Sequence, residues 1–210
     1  MEWLEIPFDV ASVDTPEELD SPLAADPPAL AISLAVEKAT AARTAGLGRD
    51  SLVACFDTIV VLDGEVLGKP TDVADAWRML RALSGRTHRV VTGAALLPPT
   101  AETPRTFAVV TEVDMRALSD AAIEAWMAHG TFLGCAGAYN IEAQVANVTL
   151  DECYQNVAGL PLCHLYAAFL DEDVRVWLPT TPVRPVDACD RELGRCCRLG
   201  PSVTGARDVV

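Results

Sequence analysis

The feature that most constrains this chain is a hairpin pattern that begins with one isolated acid. Asp57 precedes a run of β-forming residues, the dipeptide Asp63-Gly64 follows, and a second short strand ends at Lys69-Pro70. Asp-Gly between apolar runs is a strong hairpin signal, because both central residues of a type I′ turn need a positive φ. The hairpin would bring Asp57 and Lys69 to the same end of its two strands. A carboxylate and an ammonium group beside a helix start predict a site for a metal-bound phosphate; the alternative is an ordinary hairpin with one surface ion pair.

Four more segments accompany the hairpin in a fixed order. They are residues 34–39 (Leu-Ala-Val-Glu-Lys-Ala), 77–93 (ending Arg-Val-Val-Thr-Gly), 136–142 (Ala-Gly-Ala-Tyr-Asn-Ile-Glu) and 156–162 (Asn-Val-Ala-Gly-Leu-Pro-Leu). In this order and at these separations, the five segments resemble the Maf family of nucleoside triphosphate pyrophosphatases. The resemblance covers most of the chain, and five ordered motifs are far more specific than any one of them.

Alternating helical and strand patterns predict an α/β fold. The helices are expected at residues 30–45, 73–83 (with Thr71 as its cap and Val73 on its apolar face), 119–129 (with Ser119 as its cap) and 161–170. The strands are expected within residues 51–68, 86–96 and 105–117. The family resemblance implies a long, twisted mixed sheet, as in the inosine triphosphatase group, with helices on both faces and a central cleft.

One domain is expected, covering residues 1–178, followed by a loosely ordered tail at residues 179–210 that is rich in proline and polar residues. The family's first strand and helix, with their serine- and arginine-containing loop, have no counterpart here, and no Ser-Pro-Arg-Arg segment occurs in the sequence. Arginines of that loop face the phosphates in the family. The resemblance therefore implies either a gene start placed too late or a member with impaired activity.

The composition restricts the partners. A net charge of −14 argues against a nucleic acid polymer, while a single nucleotide stays compatible because a divalent ion and a few cations can neutralise it. No apolar run approaches bilayer-spanning length, and no signal peptide is evident, so we expect a cytoplasmic protein with no membrane partner. The seven cysteines lack a disulfide framework spacing and are expected to be reduced. Metal binding by the cluster Cys189, Cys196 and Cys197 is disfavoured, because paired C-x-x-C spacing is absent.

The resemblance also implies roles for individual residues. Asp57 matches the family's acid that binds the metal and helps to activate water, Lys69 matches a phosphate-contacting lysine, and Lys38 matches the lysine of the first helix. Glu17 is the candidate for a second metal-binding acid, with Asp14 and Glu18 as competitors. His88 is expected to be a packed strand histidine without a chemical role.

Two residues bear on the choice of base. Thr58 after the acid follows the branch of the family that prefers dTTP and UTP. Glu142 stands where those members carry glutamine, as in some members that prefer 7-methyl-GTP. An amide offers both a donor and an acceptor, whereas a carboxylate only accepts. The two signals conflict, and dTTP and UTP are the favoured substrates.

The expected activity is hydrolysis of a nucleoside triphosphate to the monophosphate and pyrophosphate, a nucleotide house-cleaning reaction. The expected cofactor is a divalent ion, Mg²⁺ first and Mn²⁺ or Co²⁺ as alternatives, held by Asp57 and Glu17. The competing hypotheses are a 7-methyl-GTP pyrophosphatase and an impaired, nucleotide-binding protein that regulates cell division. A homodimer is left open.

Overall fold

The structure is a computed structural model that describes residues 1–143 and 145–205. Its centre is one five-stranded sheet in the order β2-β1-β3-β4-β5. The strands are β1 (Val53–Leu62), β2 (Glu65–Leu67), β3 (Thr87–Leu97), β4 (Arg105–Met115) and β5 (Ala146–Asn147). All four pairings between these strands are antiparallel, where the resemblance implied a mixed sheet. The expected α/β class, with helices on both faces of a sheet, is confirmed.

The hairpin forms where the sequence predicts it. Asp63 and Gly64 both have positive φ, 52° and 86°, and Leu62 pairs with Glu65 across the turn. Strand β2 pairs only with residues 60–62 of β1. Within the described chain, the edge of β1 that faces β2 therefore has no strand partner at the level of Asp57.

The four predicted helices are found close to their expected positions, and four further helices are present in the described residues. They are α1 (Pro27–Thr44), α2 (Val73–Leu83), α3 (Asp120–Met127), α4 (Tyr154–Val157), α5 (Leu162–Phe169), α6 (Glu172–Arg175), α7 (Val186–Leu193) and α8 (Leu199–Thr204). Ser119 caps α3 as predicted. The predicted cap of α2 was wrong by one residue, because the Asp72 side chain accepts the Asp75 N–H, and Thr71 instead donates its own N–H to the Asp75 carboxylate.

Helix α1 lies against one face of the sheet, and α2, α3 and α4 lie on the other. Alternation along β1 sends Ile59 and Val61 towards α1, and Val60 and Leu62 into the larger core below α2. Val73, expected on the buried face of α2, is 57% exposed, because that face is formed by Ala76, Met79, Leu80 and Leu83.

One close contact in this packing lies between α1 and Gly93 of β3. A methyl group added at Gly93 would lie 2.2 Å from the carbonyl carbon and oxygen of Ala31. The absence of a side chain at Gly93 is what allows the α1 backbone to rest on the strand.

The segment after Pro179 differs from the predicted loose tail, because residues 179–205 include α7 and α8. Helix α8 packs on α5, the Val183 N–H donates to the Leu4 carbonyl, and Arg195 donates to the Val148 carbonyl at 2.6 Å. Helix α7 does have an amphipathic pattern, with Val186 and Cys189 on its buried face, but the pattern covers only eight residues and follows a proline-rich stretch. Residues 206–210 of the predicted tail lie outside the described residues. None of the helices in the described ranges has the length and apolar character needed to cross a bilayer.

Candidate functional site

The predicted acid Asp57 lies near the middle of β1, directly opposite Gly93 in the register with β3, and its side chain is only 4% exposed. Helix α1 rests on Gly93 at Ala31, and Lys38 lies two turns further along the helix. This position allows Lys38 Nζ to donate to Oδ1 of Asp57. The close packing of one helix on one glycine thus provides the counter-ion of a buried carboxylate.

A second acid joins this pair. Glu17, on the irregular segment before α1, contacts Lys69 Nζ through Oε1 and lies 3.8 Å from Lys38 Nζ. Lys69 follows β2 and remains about half exposed. We call Glu17, Lys38, Asp57 and Lys69 the charged cluster. The hairpin therefore brings Lys69 to the same site as Asp57, although its direct partner is Glu17.

Burial dominates the electrostatics of Asp57. Removal from water raises the pKa of this carboxyl above its ordinary value, the hydrogen bond and charge of Lys38 oppose that shift, and the charge of Glu17 adds to it. A carboxylate that is costly to ionise and is held beside an ammonium group is a usual feature of catalytic sites.

The charged cluster borders a cavity of about 300 Å³. Lys38, Asp57, Thr58 and Lys69 lie on its lining, and its far wall consists of residues 134–136, 139, 140, 142 and 157–159. Neighbouring residues of a strand point to opposite faces, so Asp57 reaches α1 while Thr58 reaches the side of the far wall. Both line one cavity because it lies beside the open edge of β1.

The far wall carries Glu142, the residue predicted to bear on base choice. Glu142 is exposed, lines the cavity, and donates its backbone N–H to Oδ1 of Asn140 at 2.9 Å. The wall is fixed by three contacts: the Gly137 N–H donates to the Gly68 carbonyl at 2.9 Å, Trp126 Nε1 donates to the Ala138 carbonyl at 2.8 Å, and His88 Nε2 lies 2.7 Å from the Tyr139 hydroxyl. The first of these ties Glu142's segment to the turn that carries Lys69.

His88 is buried, as expected of a packed strand histidine, and burial lowers its pKa to about 4. Burial also raises the pKa of the Tyr139 hydroxyl. Both groups are therefore neutral near pH 7, and their hydrogen bond supports the cavity wall.

Sequence reasoning missed a buried polar chain that supports residues 157–159 of the far wall. Thr58 Oγ1 lies 2.9 Å from Thr92 Oγ1, and Thr92 Oγ1 donates to the Asn156 carbonyl at 3.1 Å. The Asn156 side chain donates to the carbonyls of Val90 and Val109, and so holds residues 157–159 against the sheet. The polar residues Thr92 and Asn156, each next to apolar residues in sequence, were the signal from which this chain could have been predicted.

Asp57 and Glu17 suit a metal ion only if a bound substrate supplies further oxygen ligands. Residues 1–143 and 145–205 contain no group of three acidic, histidine or cysteine side chains arranged for a metal. Asp57 and Glu17 each use one oxygen for a lysine and flank the same Lys38. Mg²⁺ is commonly bound by one or two carboxylates with water and substrate phosphates completing the shell, and this donor set fits that mode.

Comparison with known proteins gives one consistent result. The family model described as Maf-like protein matches residues 1–172. A dTTP/UTP pyrophosphatase of Geobacter metallireducens is 44% identical over 163 residues, which is 76% of this chain and 82% of that protein. A dTTP/UTP pyrophosphatase of Xanthomonas euvesicatoria is 39% identical over 166 residues, 78% of this chain and 87% of that protein.

Proposed function

The chain belongs to the Maf family, and from that premise we propose that it is a nucleoside triphosphate pyrophosphatase acting on dTTP and UTP. The observation that carries the proposal is the charged cluster beside a cavity of about 300 Å³. Relatives with 39–44% identity are dTTP/UTP pyrophosphatases, which supports the same substrates here.

Each member of the charged cluster has a distinct task in the proposed reaction. Lys69, the more exposed cation, meets the outer phosphates, and Lys38 stabilises negative charge that develops nearer to Asp57. Asp57 accepts the proton of the attacking water, which requires its ionised form. Since burial raises its pKa, the rate should increase as the pH rises through that pKa.

A divalent ion, Mg²⁺ or else Mn²⁺ or Co²⁺, belongs to the proposal, with Asp57 and Glu17 as its protein ligands. When bound, it would neutralise phosphate charge and lower the pKa of a coordinated water. The chain's own contribution is to hold the two carboxylates on either side of Lys38, with Asp57 on the cavity lining.

The proposal places the enzyme in the cytoplasm, with free nucleotides as partners and neither nucleic acid polymers nor membranes. All seven cysteines fall within the described residues and are free, which supports a reducing compartment. The charge of −14 supports the exclusion of nucleic acid polymers.

One observation favours a second hypothesis, nucleotide binding without turnover. The cations that line the cavity in the described chain are the two lysines, and no arginine joins them. Arginine offers a forked set of donors that suits phosphate, so a site with lysines alone stabilises the transition state less. The same hypothesis predicts tight binding with no product.

The direct test replaces Asp57 by asparagine, which keeps the shape and removes the base. Turnover of dTTP should fall by about a hundredfold or more, while the protein stays folded. Asp50→Asn, at an exposed turn, is the matched control and should retain the full rate. Normal turnover in Asp57→Asn at saturating dTTP would remove Asp57 from the mechanism.

A further inference from the structure

The hydroxyl of Thr58 begins a hydrogen-bond chain whose direction can be deduced. Thr92 Oγ1 lies 2.9 Å from Thr58 Oγ1 and 3.1 Å from the Asn156 carbonyl oxygen, and Thr92 and Asn156 are fully buried. A hydroxyl has one proton and two lone pairs, whereas a carbonyl oxygen can only accept.

The proton of Thr92 must therefore point to Asn156. Two buried oxygens 3.1 Å apart would repel each other without a proton between them, and the carbonyl has none to give. The contact between the two threonines is then supplied by Thr58, whose single proton points to Thr92 and away from the cavity.

From this order of donors we propose that Thr58 offers the cavity only lone pairs, and that it recognises a hydrogen-bond donor on the nucleotide, the 3′-hydroxyl of the sugar. The inference rests on the proposed function and adds to it the group that Thr58 selects. A phosphate oxygen, itself an acceptor, is excluded as the partner of this hydroxyl.

The position of Thr58 favours the sugar among the nucleotide's donors. Thr58 follows Asp57 directly, yet it points to the opposite face of β1 from the lysine that pairs with Asp57. It lines the same cavity as Lys38 and Lys69 of the charged cluster, where the phosphates are expected, and as Glu142, where the base is expected. The sugar joins the phosphates to the base in any nucleotide, and its 3′-hydroxyl is common to dTTP, UTP and 7-methyl-GTP. On this inference the Thr58 contact serves binding of the nucleotide, and of the two residues expected to bear on base choice only Glu142 does so.

Gly159 keeps the Thr58 hydroxyl accessible. A methyl group at Gly159 would lie 3.3 Å from Thr58 Oγ1, on the cavity lining. The lack of a side chain there leaves room for a ligand group beside the hydroxyl.

The test measures binding, so that it does not depend on turnover. It uses α,β-methylene dTTP, which cannot be cleaved between the α and β phosphates, with its 3′-deoxy and N3-methyl derivatives, in the presence of Mg²⁺. The wild-type protein should bind the 3′-deoxy compound about three- to tenfold more weakly than the parent, as for one hydrogen bond. Thr58→Val should bind the two compounds equally, and Thr58→Ser, which keeps the hydroxyl, should restore the difference.

Several results would overturn the inference. Equal affinity of the wild-type protein for the parent and 3′-deoxy compounds would do so without any variant. A difference that persists in Thr58→Val would place the sugar contact elsewhere. If the effect of N3-methylation disappears in Thr58→Val instead, the donor is the base and the sugar assignment is wrong.

A second variant tests the proton order itself. Thr92→Val removes the acceptor that holds the Thr58 proton, so Thr58 becomes free to donate into the cavity. A 3′-O-methyl derivative, which offers only an acceptor, should then lose less affinity relative to the parent than it loses in the wild-type protein. An unchanged ratio would contradict the order. Failure of the wild-type protein to bind the parent compound at all would instead count against the proposed function.

Discussion

At the scale of single residues, the proposed function has the cavity select its ligand through side chains that offer one kind of hydrogen-bonding group. Glu142 on the far wall accepts only, as does the Thr58 hydroxyl by the argument above. Two acceptors at separate points favour a ligand with donors at matching points. Substitutions that change polarity without changing size are therefore the most informative ones.

Glu142→Gln should shift the choice of base. The amide adds a donor where the carboxylate has none, so the ratio of dTTP or UTP hydrolysis to 7-methyl-GTP hydrolysis should rise. The expected size is about 1–3 kcal/mol, as for one polar contact in a site. Side-by-side rates on the three nucleotides measure it, and an unchanged ratio would mean that Glu142 makes no contact with the base.

His88 should make the stability of the protein depend on pH. Its pKa in the fold, about 4, is lower than its ordinary 6.5. The histidine therefore contributes stability that is complete above about pH 6.5 and is lost as the pH falls towards 4, by about 3 kcal/mol at most. Denaturant unfolding of His88→Gln should show a smaller loss across this window than the wild-type protein.

His129→Gln, the same substitution at an exposed histidine, is the matched control for the loss of a histidine side chain. Asp57 changes stability in the opposite direction, because its raised pKa stabilises the fold at low pH. Its contribution is the same in the wild-type protein and in both histidine variants, so it does not affect the comparison. Parallel pH curves for the wild-type protein and His88→Gln would contradict the account of His88.

At the scale of elements, the packing of α1 on β3 determines whether Lys38 reaches Asp57. Gly93→Ala places a methyl group 2.2 Å from the Ala31 backbone, so the helix must move away from the strand. We expect a loss of about 1–3 kcal/mol in unfolding free energy, as for other overpacked cores, together with reduced dTTP turnover.

Gly134→Ala is the control for this substitution, because an added methyl group there meets no atom within 4 Å. It should keep wild-type stability by denaturant unfolding. Stability of Gly93→Ala equal to that of Gly134→Ala would show that α1 does not need Gly93 for its close approach.

The local elements were largely predictable because their signals are local. The Asp63-Gly64 turn, the α2 boundaries and the Ser119 cap follow from turn chemistry, periodicity and capping. The α2 cap moved by one residue because Asp72 and Thr71 are both acceptable caps. Helices α7 and α8 were missed because long-range contacts, such as Arg195 with Val148, hold them in place.

The site was predictable in its charges and not in its neutral groups. The family pattern indicates Lys38, Asp57 and Lys69, and the structure gathers them with Glu17. The sequence alone does not distinguish Glu17 from its neighbours Asp14 and Glu18 as the acid of this site. The structure places Glu17 beside both lysines. The Thr58–Thr92–Asn156 chain depends on strand register and a distant loop, which no local pattern encodes.

At the scale of the whole molecule, the protein is acidic and its proposed substrate is too. A net charge of −14 repels a triphosphate at long range, and two lysines offset only part of that locally. A divalent ion that neutralises the phosphates is therefore essential to the account. Removal of divalent ions with a chelator should abolish turnover of dTTP, and Mg²⁺ should restore it.

The measurement that tests the central claim most directly identifies the products formed from dTTP in the presence of Mg²⁺. The account predicts equal amounts of dTMP and pyrophosphate, since the charged cluster is expected to promote cleavage between the α and β phosphates. Chromatography of the nucleotide together with separate assays for pyrophosphate and orthophosphate distinguishes the bonds. Release of orthophosphate with dTDP would contradict the assigned bond, and the absence of any product would leave nucleotide binding as the function.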